Sequence, residues 1–219
     1  MKKILFLGIL LVFVISSQSF GAVTYSGPLN ITVDLSNSAS FDFDGAGTMW
    51  YPFKISIKDM ISGSQTYRTL YYDSIGNTLV FRNSPSTYIP DIGNDALNFG
   101  FADPVPPPTP WSASSEEYLT AVNLSTSVVS GNFNPATPSG YIGLVGYYAG
   151  PFNPVYAWLH ISSITDFGLP SMQATIDGWA YNDQNNVPIA AGVIPAPGAF
   201  ILAGLGTGLV AFLRKRRTI

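Results

Sequence analysis

The sequence has no cysteine and a single histidine, His160, among its 219 residues. Without cysteine, the chain can form neither a disulfide nor a thiolate metal site, and it has no thiol nucleophile. One histidine supplies fewer nitrogen ligands than a zinc site requires. The G-x-S-x-G and H-E-x-x-H motifs and a phosphate-binding loop are also missing. The sequence therefore predicts a protein that is not an enzyme, holds no cofactor and depends on a hydrophobic core for stability.

Basic residues are scarce in the middle of the chain. Six of the ten lie near the two ends, which leaves only Lys54, Lys58, Arg68 and Arg82 between them. All 13 acidic residues lie in this middle part, so its formal charge is −9, whereas that of the whole chain is −3. Nucleic acids and anionic lipid surfaces are bound by clustered basic residues. The sequence therefore argues against both as partners of the body.

The N-terminus has the three regions of a secretory signal peptide. Two lysines precede an apolar run over residues 4–15, and a short polar stretch follows. This run of 12 residues is too short to span a bilayer. Ser19 and Gly21 supply small residues at positions −3 and −1 of a cleavage site. We therefore expect residues 1–21 to direct export through the Sec translocon and to be removed by signal peptidase.

The C-terminus combines a proline motif, an uncharged apolar segment and a basic end. The motif is Pro195, Ala196, Pro197, Gly198 and Ala199, and the basic end is Arg214, Lys215, Arg216 and Arg217. Residues 198–213 carry no charge and predict a helix about 24 Å long. The hydrocarbon core of a bilayer is roughly 30 Å thick, so flanking basic side chains must reach the interface. We therefore expect a short membrane helix whose basic end stays on the cytoplasmic side.

The order of these segments resembles that of the PEP-CTERM proteins, which are the substrates of exosortases. The sorting signal of that family is a Val-Pro-Glu-Pro-like motif, a hydrophobic helix and an arginine-rich end. In this chain, Ala196 stands at the position of the usual glutamate. Four segments of the body, residues 141–144, 157–161, 178–181 and 188–192, also resemble the closing strands of such proteins.

This resemblance implies how the chain is sorted. Residues 191–219 would be the sorting signal, which anchors the chain transiently in the inner membrane. An exosortase-like membrane protease would then remove the tail and release the body to the cell envelope or the extracellular space. The resemblance further implies a structural or matrix role in the company of extracellular polysaccharide. The alternative is an ordinary C-terminal membrane anchor that stays attached.

The body, residues 22–190, predicts strands and turns without an amphipathic helix. Residues 29–35 and 53–58 alternate between apolar and polar side chains, as half-buried strands do. Further strands are predicted over residues 67–73, 78–82, 96–101, 118–124, 141–148, 155–164 and 173–181. Turns are expected at 75–77 and 166–168, and an exposed proline-rich loop at 103–110. The pattern predicts a single all-β domain, an antiparallel β-sandwich of jelly-roll-like type.

One segment of the body is a candidate calcium site. Asp42 and Asp44 lie in a stretch that resembles the D-x-D-G-D-G segments of many PEP-CTERM bodies. Closely spaced carboxylates suit calcium, and glycine permits the sharp turn between them. Here Ala46 stands at the position of a third aspartate. A hairpin turn without a bound ion is therefore the alternative.

Two tryptophans and the histidine are the other candidate site residues. Trp158 and Trp179 are expected on neighbouring strands, as apolar anchors or as a stacking platform for sugars. The platform would make the protein a secreted carbohydrate-binding module, which is the alternative function. His160 is expected on the same strand face as Trp158, as a hydrogen-bonded structural residue rather than a general base. A hydrolase would require His160 to act in catalysis.

Overall fold

A computed structural model describes most of the body of the chain, and the described residues form strands without any helix. The ranges described are 23–42, 52–83, 88–90, 92–106, 111–147 and 154–194. No helix capable of crossing a membrane occurs within these ranges. The expected signal peptide, the sorting motif, the apolar segment, the basic end and Asp44 all lie outside the described residues.

The described residues contain sixteen strands, many of them only two to four residues long. In chain order they are β1 (Val23–Tyr25), β2 (Ile31–Val33), β3 (Ala39–Asp42), β4 (Pro52–Ser62), β5 (Gln65–Ser74), β6 (Thr78–Asn83), β7 (Tyr88–Ile89), β8 (Gly93–Asn94), β9 (Pro104–Val105), β10 (Trp111–Ser114), β11 (Glu116–Asn123), β12 (Val129–Ser130), β13 (Gly140–Tyr147), β14 (Pro154–Thr165), β15 (Gln173–Asn182) and β16 (Ile189–Ala190). The paired strands run antiparallel, as predicted.

Most strands belong to two large sheets. The seven-stranded sheet has the order β1-β15-β14-β13-β6-β10, and β2 pairs with β15 as well. The five-stranded sheet has the order β12-β11-β5-β4-β3. Two small pairs, β9 with β16 and β7 with β8, lie outside these sheets. Neighbours in sequence are often neighbours in space, because short turns join β4 to β5 and β14 to β15.

Strands β4 and β5 show how the sequence directs one of these hairpins. Ser62 pairs with Gln65, so only two residues form the turn. The first of them, Gly63, has a φ of +59°, which glycine adopts without strain. Along β4, Phe53, Ile55 and Ile57 are buried while the residues between them are partly exposed. The strict alternation of apolar residues therefore assigns one face of β4 to the core.

A common core lies between the two large sheets. Its side chains from the five-stranded sheet include Phe41, Phe53, Ile55, Ile57, Leu70, Tyr72 and Leu119. Those from the seven-stranded sheet include Val33, Val80, Ile142, Leu144, Ala157, Leu159, Ile161 and Ile176. We call the face of the seven-stranded sheet that points to this core the inner face. Burial of so much apolar surface provides the stability that a chain without disulfides requires.

The opposite, outer face of the seven-stranded sheet is also covered. Its buried side chains include Phe81, Val145, Tyr156, Trp158 and Ala180. They are covered by Phe99, Val105, Ile189 and Ala191, which come from irregular segments and from the small pair β9 and β16. The seven-stranded sheet is therefore buried on both faces, although only one of them meets another large sheet.

Seven of the nine predicted strands are confirmed to within a few residues at each end, as the bounds of β4, β5, β6, β11, β13, β14 and β15 show. The strand predicted over residues 29–35 is confirmed in part, because β2 covers only Ile31–Val33. The turns predicted at 75–77 and 166–168 are also confirmed, since they separate consecutive strands.

The strand predicted over residues 96–101 is wrong. Only Ala96 and Phe99 form bridges, with Arg82 and Tyr141. The segment then turns, because the Asp103 carboxylate accepts a hydrogen bond from the backbone N–H of Gly100 at 2.6 Å. The chain thus crosses the outer face instead of adding a strand to a sheet.

The proline-rich segment also differs from its prediction as an exposed loop. Pro104 and Val105 form β9, which pairs with β16, and Val105 is fully buried. Proline can occupy such a pair because β9 is only two residues long and has a single partner strand. Residues 107–110 lie outside the described ranges.

Candidate functional site

An open groove lies beside the outer face of the seven-stranded sheet and contains the histidine. Its volume is about 610 Å³, within the roughly 300–1,000 Å³ that ligand sites occupy. Three parts of the chain form it: residues 95–103, the loop of residues 131–139, and the sheet itself. The lining residues are Asn98, Phe99, Gly100, Phe101, Asn132, Ala136, Thr137, Pro138, Ser139, Gly140, Tyr141 and His160.

The 131–139 loop is fixed at several points along its length. Phe133 is fully buried in the common core, and its backbone N–H donates to the carbonyl of Leu119 at 3.2 Å. The side-chain oxygen of Asn134 accepts hydrogen bonds from the backbone N–H groups of Ala136 and Thr137 at 2.9 and 3.2 Å. Such an asparagine turn replaces the regular pairing that the loop lacks. This wall of the groove is therefore ordered by its own side chains.

Asn98 connects the two walls of the groove. Its amide nitrogen donates hydrogen bonds to the carbonyls of Asn132 and Ser139, both at 3.3 Å. A Cβ atom at position 140 would overlap the Asn98 amide, so the close approach requires Gly140. Asn132 in turn donates to the Asp95 carboxylate at 2.9 Å and to the Ala96 carbonyl at 2.7 Å. The amide groups of both asparagines are thus held in place.

The imidazole of His160 makes two contacts that determine its orientation. Its ring stacks on that of Tyr141, with centroids 4.2 Å apart and planes inclined by 20°. Its Nδ1 lies 2.5 Å from Oδ1 of Asp177. A carboxylate accepts hydrogen bonds, so Nδ1 carries the proton of this bond and Nε2 is the remaining polar atom of the ring. These contacts agree with the predicted hydrogen-bonded histidine, although that prediction did not foresee the groove.

A β-bulge brings Asp177 to the histidine. His160 pairs with Gly178 and Ile161 pairs with Ile176, so Asp177 has no partner residue in β14. An extra residue of this kind bends a strand and redirects a side chain. In the sequence, Asp177 is only an aspartate within an alternating strand. The bulge depends on how β14 pairs with β15, so the sequence of β15 alone does not predict it.

Tyr141 links the groove to the buried outer face. Its ring meets the Trp158 indole edge-on, with centroids 5.4 Å apart and an interplanar angle of 90°. The pKa of its phenol is raised, chiefly by burial and further by the negative charge of Asp177 and by Tyr25. The phenol therefore stays protonated at neutral pH and can donate a hydrogen bond. Because Trp158 and His160 both contact Tyr141, the expectation that they share a strand face is confirmed.

The two candidate tryptophans lie on neighbouring strands, as expected, but on opposite faces of the sheet. Trp158 pairs with Ala180, and Trp179 pairs with Leu159. Cross-strand partners share a face, so Trp179 packs with Leu159 towards the common core while Trp158 packs towards the outer face. Trp158 is only 2% exposed. The structure therefore does not bring the two rings together as a platform.

The calcium candidate is only partly covered by the structure. Asp42 ends β3, where it pairs with Pro52, and Asp44 lies outside the described residues. Within the described ranges, no group of three or more histidine, cysteine, aspartate or glutamate side chains could hold a metal ion. Calcium binding by Asp42 and Asp44 remains a prediction.

A buried glutamate links the two sheets at another place. Glu117, on β11, is 1% exposed. Its carboxylate accepts hydrogen bonds from the Arg82 guanidinium of β6 at 3.1 Å and from the backbone N–H of Asn94 at 2.5 Å. Burial raises the pKa of this carboxyl, while these hydrogen bonds and the Arg82 charge act in the opposite direction. Nothing in the local sequence distinguishes Glu117 from its exposed neighbour Glu116.

The groove can bind a ligand through amide and hydroxyl groups, an imidazole and aromatic rings. No carboxylate, ammonium or guanidinium group occurs among the lining side chains named above. The sequence did not point to this site because its residues come from three separate parts of the chain and form no motif. No protein-family model, curated protein or solved structure matches this chain.

Proposed function

We propose that the chain is an exported, non-catalytic structural protein of the bacterial cell envelope or extracellular matrix. The observation that supports this most directly is the order of segments at the two ends. A signal-peptide pattern over residues 1–21 opens the chain, and a proline motif, an apolar segment and a basic end close it. Both ends act in membrane traffic, so the body between them is the part that is delivered.

The C-terminal tail is a removable sorting signal in this proposal. The apolar segment over 198–213 holds the chain in the inner membrane while Arg214 to Arg217 remain in the cytoplasm. An exosortase-like protease then cleaves near Pro195 and Ala196 and releases the body. The short length of the apolar segment favours a transient anchor over a permanent one.

The delivered body is a β-sandwich of jelly-roll-like type in this proposal. Support comes from the common core, to which both large antiparallel sheets contribute their apolar faces. The formal charge of −9 keeps such a body soluble and repels its copies from one another. Its stability comes from side-chain packing, because the chain has no cysteine to form disulfides.

The intact mass of the exported protein tests the sorting proposal. The full chain is expressed in a bacterium that has an exosortase-like protease and in a matched strain that lacks it. We expect the exported form in the first strain to begin at Ala22 and to end within or near residues 195–199. In the second strain we expect the tail to be retained at the membrane.

A variant with both motif prolines replaced, Pro195→Ala with Pro197→Ala, serves as the control in the first strain. It keeps the apolar segment and the basic end, and we expect it to remain uncleaved. An exported wild-type mass that still includes Arg214 to Arg217 would refute proteolytic release and would favour the permanent anchor.

A further inference from the structure

The polar groups of the groove are arranged before any ligand arrives. Asn98 and Asn132 each donate two hydrogen bonds within the protein, to three carbonyls and the Asp95 carboxylate in total. Thr137 donates through its hydroxyl to the Asn132 carbonyl at 3.0 Å. Side chains that are already fixed lose little conformational entropy when they bind a ligand. The groove is therefore a preorganised surface for hydrogen bonds.

The imidazole adds a hydrogen-bonding atom of defined character. Asp177 holds Nδ1 at 2.5 Å, and stacking on Tyr141 prevents the ring from turning freely. In the neutral ring, Nε2 is then a hydrogen-bond acceptor. A ligand hydroxyl is a suitable partner, because it can donate a hydrogen bond to this nitrogen.

An exposed aromatic ring lies at the edge of the groove. Phe101 is 70% exposed, although phenylalanine is usually buried. It lies on a turn that is held by the bond from Gly100 to Asp103 and by the bond from the Ala102 N–H to the Ala191 carbonyl at 2.7 Å. The ring is thus presented on an ordered turn. A ring in this position can pack against an apolar face of a ligand.

The charges of the body favour an uncharged ligand. Acidic ligands are usually bound by lysine or arginine, yet neither occurs among the lining residues of the groove. Three of the four basic residues of the body are engaged elsewhere: Arg68 with Asp59, Arg82 with Glu117, and Lys58 over the ring of Tyr71. A neutral sugar fits these requirements, because it combines hydroxyl groups with apolar faces and carries no charge.

We propose that the groove is a binding site for a neutral oligosaccharide of a few sugar units. An apolar sugar face packs on Phe101, and sugar hydroxyls donate to Nε2 of His160 and to the side-chain oxygens of Asn98 and Asn132, whose amide hydrogens are already used within the protein. This site replaces the tryptophan platform as the place where the body meets glycans. It rests on the proposed function in one respect, since only an exported body would meet extracellular polysaccharide; binding itself requires the folded body alone.

A peptide is a weaker candidate for the same groove. Peptides commonly add a strand to a free sheet edge, where backbone groups are available. The strand that borders this groove, β13, is already paired with β14 and β6. The backbone of Tyr141 also exchanges hydrogen bonds with that of Phe99, at 2.8 and 3.1 Å. The edge of β13 beside the groove is therefore not free to pair with a peptide strand.

Glycan binding by the full chain tests this proposal. The protein is purified in a detergent without a sugar headgroup, since a glycosidic detergent would compete for the groove. An array of neutral and acidic oligosaccharides identifies a ligand, and calorimetric titration then measures its affinity. We expect binding to neutral glycans. Phe101→Ala should weaken the affinity for the glycan about tenfold. His160→Phe keeps an aromatic ring stacked on Tyr141 but loses Nε2, so it should weaken the affinity about fivefold.

The matched control is Ile61→Ala, because Ile61 is 69% exposed and lies outside the groove. We expect this variant to bind as the wild type does. Thermal unfolding checks that each variant is folded. Three results would overturn the proposal: folded wild-type protein that binds no neutral glycan, binding confined to acidic glycans, or unchanged binding by Phe101→Ala.

The outcome for the groove is separate from the outcome for sorting. A chain that keeps its tail in the mass experiment and still binds glycans refutes only the sorting proposal. A chain that loses its tail and binds no neutral glycan refutes only the binding site.

Discussion

The two faces of the seven-stranded sheet differ in what covers them. The inner face meets the five-stranded sheet, and regular strands supply most of its apolar side chains. The outer face is covered by irregular segments and by two-residue strands. Irregular segments satisfy many of their backbone groups with side chains, so the segment of this cover over residues 95–103 contains Asn98 and Asp103 as hydrogen-bonding residues. The face with the less regular cover is therefore also the one beside the groove with fixed polar groups.

The two tryptophans provide the strongest test of this comparison. Trp158→Ala removes a side chain that is 2% exposed on the outer face, and we expect a loss of about 3–5 kcal/mol in the free energy of unfolding. Trp179→Ala removes a side chain that is only partly buried against the common core, so we expect a loss of about 1–2 kcal/mol in the free energy of unfolding. Urea denaturation measures both. If Trp158→Ala costs no more than about 1–2 kcal/mol, the side chains that cover the outer face are not a packed layer.

A substitution at Gly140 tests whether the two walls of the groove depend on the close approach of Asn98 to the backbone at position 140. Gly140→Ala forces the Asn98 amide away and breaks its bonds to the carbonyls of Asn132 and Ser139. We expect a loss of about 2–3 kcal/mol in unfolding free energy and weaker glycan binding. The control is Gly27→Ala, where φ is +79° but nothing lies within 4 Å of the new Cβ. We expect only backbone strain there, about 1 kcal/mol, and unchanged binding. Equal losses in the two variants would contradict the role of Asn98.

The smallest expected effect concerns Glu117, which joins the two large sheets through Arg82. It appears as a dependence of the unfolding free energy on pH. The pKa of Glu117 in the folded protein is raised above its ordinary value of 4.5, so the folded state holds this proton more tightly than the unfolded state does. The contribution of Glu117 to stability is therefore greatest below about pH 4.5 and declines as the pH rises through the folded pKa. The unfolding free energy of the wild type, minus that of Glu117→Gln, should fall over this range.

Urea denaturation at several pH values between 4 and 7 measures this difference. All other carboxyl groups are the same in both proteins, so most of their titration cancels. A difference that stays constant or increases with pH would contradict the stated direction of the Glu117 pKa.

Much of the strand layout could be predicted because it follows local alternation. Strand β4 displays its buried face in sequence, and Gly63 marks the turn that follows it. Strand β5 shows no such alternation, because its central residues are buried on both faces. The prediction over residues 96–101 failed for a physical reason. Apolar residues there cover the outer face of a sheet, and covering residues alternate in much the same way as strand residues do.

The candidate site could not be predicted in the same way. The alternation along β14 and β15 is interrupted by register shifts, and one of these moves Asp177 next to His160. A shift of one residue exchanges the two faces of a strand. The face of Trp179 and the partner of His160 therefore depend on how two strands align, which neither strand specifies alone.

Local patterns in the sequence predict a signal peptide and a sorting tail, establish an acidic body and locate most of the strands. Each of these depends on the order, charge or periodicity of nearby residues. The folded structure reveals that Trp158 and Trp179 lie on opposite faces, and that Asn98, the 131–139 loop and His160 line one groove. The physical reason is that antiparallel pairing and its bulges bring together residues far apart in the chain, and local patterns carry no record of that pairing.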